Sequence, residues 1–166
     1  MHSFFVWLEA TTLSTWIRES TSVWAFPAIL SLHTVGMGFV AGLNAALGLR
    51  ILGFAPSTPL LELRRFFPVM WAGFWANAVS GVLLLIAYPT KAFTNPVFYL
   101  KLTFIGLALV VFRLIVRSMF QDSRFDLGPV TRRCRILAAA SIFCWTGAIT
   151  AGRLLAYTYS HLTSNQ

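Results

Sequence analysis

Acidic residues are almost missing from this chain: five aspartates and glutamates stand against thirteen lysines and arginines in 166 residues. None of the five falls within the long apolar runs, which removes the usual carriers of an intramembrane proton relay or a hard-cation site. Charge of both signs together reaches only 11%, against roughly one-quarter in a soluble globular domain. Cysteine is nearly absent too. Cys134 and Cys144 stand about 15 Å apart along one helix, so they cannot bridge each other. Neither has a Cys-x-x-Cys or zinc-like spacing, and both read as small apolar residues. The start, Met1-His2-Ser3-Phe4-Phe5, lacks the basic n-region of a secretory signal, and Glu9 interrupts any apolar h-region. The first long apolar run is therefore expected to act as the insertion signal.

What the chain has is apolar sequence: 57% hydrophobic residues at a mean hydropathy of +0.72. Four spans of about 20 residues and short loops account for nearly the whole length, leaving no room for a separate catalytic domain. The expected fold is all-α, an integral membrane four-helix bundle forming a single domain over residues 1–166. Its spans are expected at about 23–49, 66–89, 96–117 and 134–157. Arg50 closes the first, Arg64, Arg65 and Pro89 bound the second, and Asn95-Pro96 opens the third as an N-cap and first-turn proline. Ahead of them, residues 4–19 set Phe5, Leu8, Leu13, Trp16 and Ile17 near one helical face, the pattern of an interfacial amphipathic helix.

The net charge of +8 does not point to nucleic acid, because the arginines cluster between apolar runs. Arg50, Arg64, Arg65, Arg113, Arg117, Arg124, Arg132, Arg133 and Arg135 contain or border the loops joining spans one to two and three to four. By the positive-inside bias those loops face the cytoplasm and both termini face outward, into the periplasm for a bacterial inner-membrane protein. The lipid bilayer is then the main partner, with anionic headgroups drawn to the arginines.

Polar groups within the spans are few: His33, Lys101, Arg113, Arg153, Asn44 and Asn77. His33 sits about 16 Å into the first span, near the midplane, where an imidazole needs a hydrogen-bond partner or a metal. Gly36, Gly38 and Gly42 follow it. They leave space for something flat, or else Gly38 and Gly42 let another helix approach and His33 bonds across that contact. Lys101 and Arg153 lie one to two turns inside the outer ends of the third and fourth spans. With His33 below them they form a pattern that a haem b would fit, iron on His33 and propionates on the two cations. Snorkelling to headgroups is an equal alternative for Arg153, whereas Lys101, deeper and flanked by Leu100 and Leu102, reads more as a site residue. A second histidine ligand is missing from the spans, since His2 and His161 lie at the termini. Lys101, Met37 of a neighbouring subunit or an open position remain for the sixth site. Trp71, Trp75 and Trp145 could wall a porphyrin or serve as packing and lipid-facing surface.

The run Leu32-His33-Thr34-Val35-Gly36, with Gly42 and Gly48-Leu49-Arg50-Ile51-Leu52-Gly53, resembles an uncharacterised family of bacterial four-span membrane proteins over about residues 20–117. More distantly, a first-span histidine with Asn95-Pro96-Val97-Phe98-Tyr99-Leu100-Lys101 in the third is similar to the membrane-type protoporphyrinogen oxidases and the copper-resistance D-type membrane proteins. The oxidase resemblance implies haem b with an essential histidine and lysine, here His33 and Lys101. The copper resemblance implies metal handling, although methionine and histidine are sparse. With no self-contained catalytic constellation, the expected function is a haem b-binding redox or electron-transfer subunit of a membrane complex, working with other membrane subunits or as a homo-oligomer. The alternatives are a non-catalytic anchoring subunit and a copper or small-solute handling protein.

Overall fold

The computed structural model describes residues 2–120 and 130–163. Helices are the only regular elements among them: α1 (His2–Glu9), α2 (Thr12–Glu19), α3 (Phe26–Leu52), α4 (Leu60–Arg64), α5 (Phe67–Ala87), α6 (Pro89–Thr94), α7 (Pro96–Phe120) and α8 (Arg132–Thr163). Four stretches are long and apolar enough to cross a membrane: Phe26–Leu52, Leu60–Ala87, Pro96–Met119 and Arg132–Leu155. This is the all-α four-helix architecture of a multi-pass membrane protein. Large apolar side chains such as Trp75, Val82 and Phe143 point outward, as lipid-facing residues do.

Local chemistry sets the ends. Pro27 stands in the first turn of α3, so the helix starts at Phe26 and leaves Val23 and Trp24 in the preceding turn, three residues later than the apolar run begins. Gly53 ends it at φ 107°, a left-handed cap that donates to Arg50 O and Leu49 O with Phe54. Arg50 then fastens the following loop, donating from Nε to Thr58 O at 2.5 Å and from Nη2 to Pro56 O at 2.9 Å. Asn95 caps α7, its Oδ1 accepting from Val97 N at 3.0 Å.

The amphipathic start is two helices rather than one. Thr11 is extended (φ −67°, ψ 147°) and its hydroxyl both accepts from Ser14 N and donates to Leu8 O, so one side chain ends α1 and begins α2. Arg18 crosses the hairpin to donate to Glu9 O at 3.0 Å. This pair docks on the terminal ends of α5 and α6. Ser14 donates to Ala87 O, Glu9 Oε1 accepts from Thr90 N at 3.3 Å, and Phe5 stacks on Phe93 at 5.0 Å. Trp7, Leu13 and Trp16 face outward beside the exposed Trp24, the placement that suits a headgroup layer. Arg18→Ala is expected to cost about 1 kcal/mol, read as faster proteolysis of residues 1–20 with the bundle left intact.

In the bundle, α3 lies between α5 and α8, and α8 packs against α7. The α3–α5 crossing is very close. A Cβ on Gly36 would fall 2.7 Å from Gly73 O and 2.8 Å from Asn77 N, and one on Gly73 would meet Phe39 Cβ at 2.8 Å. Gly38 and Gly42, for which a helix contact was one of two readings, meet nothing within 4 Å from the described residues of this chain. Between α5 and α7 the gap is closed by rings, Phe67 and Trp71 against Phe112 at 5.3 and 6.4 Å. One buried apolar cluster, including Leu47, Met70, Phe112 and Ala138, fills the arginine-rich half; a second, including Val40, Ala108, Trp145 and Ala148, fills the middle.

Candidate functional site

Toward the end of the bundle that carries the termini, polar side chains converge from three helices. His33 of α3 reaches α5, where its Nδ1 lies 3.0 Å from Asn77 O and 3.2 Å from Ser80 Oγ. A backbone carbonyl only accepts, so Nδ1 must carry the proton. Ser80 fits the same assignment: its hydroxyl proton goes to Ala76 O at 2.6 Å, leaving oxygen lone pairs toward the ring. The other ring nitrogen, Nε2, therefore presents a lone pair. Facing it, 3.5 Å away, is Lys101 Nζ from α7, at the far limit of a hydrogen bond.

Asn77 ties the arrangement down. Its Nδ2 donates to His33 O at 2.7 Å while its own carbonyl accepts from the ring, a reciprocal pair between α3 and α5. The close Gly36–Gly73 crossing one turn away makes this possible. Gly81 gives the ring its room, since a Cβ there would stand 3.1 Å from His33 Cε1. Across the bundle the Lys101 stem lies along Gly152 of α8, whose Cβ would be in ordinary contact with Cε at 3.7 Å. Asn77→Ala removes one interhelical bond and leaves the backbone acceptor of Nδ1 in place. The expected result is a loss of about 1 kcal/mol in thermal or denaturant unfolding, with the His33 tautomer unchanged in its ring ¹⁵N shifts.

Of the three residues singled out from sequence, the structure brings His33 and Lys101 together. Arg153 is exposed on α8, the residue after Gly152. Met37 lies one turn from His33 and packs against the middle apolar cluster. Trp71 packs on Phe74 and Phe112, Trp145 is buried in that cluster and Trp75 faces outward, so none of the three walls the His33 site. Ser80, Gly81 and Gly152 were not singled out. Ser80 and Gly81 each stand about one turn beyond Asn77 on the second span, a spacing that puts them near its face.

The donor set fits one kind of metal site. An imidazole whose Nδ1–H is held by a carbonyl is the usual form of a metal-ligating histidine, with the tautomer fixed and Nε2 exposed. Among the described residues no group of three or more His, Cys, Asp or Glu converges. A bare ion would thus find few protein ligands among these residues, and a metal that brings most of its own donors would need only His33 Nε2 from them. The Lys101 ammonium beside it would offer a partner to an anionic group.

No family model, curated protein or solved structure matches this chain.

Proposed function

We propose that this chain is a haem b-binding subunit of a bacterial inner-membrane redox assembly, with both termini in the periplasm. The observation that carries the reading is the His33 tautomer: Nδ1 is engaged by Asn77 O and Ser80 Oγ, so Nε2 is the one ring nitrogen able to ligate. His33 would hold the iron and Lys101 would pair with a propionate. When bound, the haem supplies one-electron transfer.

This chain's residues do the rest. Asn77, through its reciprocal bonds, fixes the ring plane against α5. Lys101 lies toward Nε2, so an iron held by His33 would need the Lys101 ammonium to release that lone pair. Arg153, exposed on α8, is assigned to outer headgroups. The test is the absorption spectrum of protein purified in mild detergent after expression with ample haem. A Soret band at near-stoichiometric haem is expected; its absence sinks the reading.

One observation favours the anchoring alternative. Gly38 and Gly42 form a smooth, open strip on the outside of α3, the kind of face on which a helix of another subunit packs closely. If that is the chain's main role, Gly42→Leu disrupts co-purification of the assembly while His33→Ala leaves it intact.

A further inference from the structure

Midway along the bundle, between the two apolar clusters, three buried polar atoms have no hydrogen-bond partner among the described residues: Asn44 Oδ1, Ser141 Oγ and Trp145 Nε1. Contacts on either side bring them to one level. The helices α3 and α8 run antiparallel, with Gly48 against Ala138 and Ile142 in one direction and Val40 and Ala41 clustered with Cys144, Trp145 and Ala148 in the other. Asn44 lies between Val40 and Gly48, so the turn of α8 opposite it is the one carrying Ser141 and Trp145.

Each of the three is held in place. The Asn44 amide donates from Nδ2 to Val40 O at 2.8 Å and to Met70 Sδ at 3.2 Å, so a flip would set oxygen against oxygen and Oδ1 must stay where it is. The Trp145 ring is 4% exposed within the apolar cluster. Ser141 departs from the habit of its own helix, where Thr146 and Thr150 each donate to the carbonyl four residues back at 2.9 Å. Hydroxyls in apolar helices ordinarily make that bond. Polar atoms left unpaired in such an interior are unfavourable, each forfeiting its hydration with no bond in return.

We propose that Asn44, Ser141 and Trp145 form an enclosed site for a single water molecule at the centre of the bundle. The three complement one another: Trp145 can only donate, Asn44 Oδ1 can only accept, and Ser141 does both. A water accepting from the indole N–H and donating to Oδ1 and the hydroxyl makes three bonds, the usual number for a buried water. Because all three atoms are shut off from the surface, a water held by them exchanges only when the helices open.

The test is NMR of protein labelled with ¹⁵N-tryptophan in lipid nanodiscs, with Trp145 identified by the indole resonance missing from Trp145→Phe. The expected result is a cross peak between that N–H and the water frequency, together with slow exchange of the N–H proton in D₂O. Asn44→Leu should shift the Trp145 resonance. Absence of a water cross peak in the unmodified protein overturns the proposal. A resonance that moves with Asn44→Leu but shows no water contact overturns it as well, since that is a direct N–H to amide bond.

Discussion

Gly36→Ala is expected to destabilise the bundle by about 2–4 kcal/mol, the sum of overpacking and lost interhelical bonds. The new Cβ would meet Gly73 O at 2.7 Å and Asn77 N at 2.8 Å, both backbone atoms. Neither can turn aside as a side chain would, so α3 and α5 must separate. Separation also stretches the reciprocal pair between His33 and Asn77 one turn away. Gly38→Ala is the control. Its Cβ would meet nothing within 4 Å, and alanine is the better helix former, so stability should stay within about 1 kcal/mol of the parent. Thermal unfolding of the two variants in one detergent separates them; equal effects would mean that the crossing is not where it is described.

His33→Ala has the largest expected effect on binding. If Nε2 is the iron ligand, the variant loses its only intramembrane imidazole, and haem retention should fall by more than 100-fold, beyond the 10–100-fold typical of losing a supporting group. Lys101→Met is expected to behave differently. It removes a propionate partner and also the competitor for Nε2, so the pigment should persist with affinity changed by about tenfold or less. Free imidazole added to His33→Ala should restore part of the Soret absorbance. A spectrum identical in parent and His33→Ala would place the haem elsewhere.

Much of this architecture is legible in the sequence because lipid imposes simple rules. Arg50, Arg64 and Arg65, Pro89 and Asn95-Pro96 punctuate the apolar runs, and the helices begin or end within a few residues of them. Three features were not legible. Thr11 breaks the amphipathic start because its side chain competes locally for backbone groups, which a helical pattern of apolar residues does not reveal. Helix rotation is a second case. A span that is apolar nearly all round does not announce which face turns inward, so Gly38 and Gly42 looked equivalent to Gly36, and only packing separates them. Arg153 is a third: its depth along the helix was readable, but its exposure on α8 was not.

His33 and Lys101 were legible for the opposite reason. In spans this apolar, a histidine and a lysine within the outer half have few other places to go, and the structure sets them 3.5 Å apart. Their supports, Ser80, Gly81 and Gly152, carry no such signal, because serine and glycine are common in membrane helices whatever they do.

The most direct test of the His33 site is ¹⁵N NMR of histidine-labelled protein, with the His33 ring assigned by its absence from His33→Ala. The metal-free protein should show Nδ1 protonated and Nε2 unprotonated, and titration with haem b should remove or strongly shift the Nε2 signal. A ring protonated at Nε2, or an Nε2 signal unmoved by stoichiometric haem, would contradict the account.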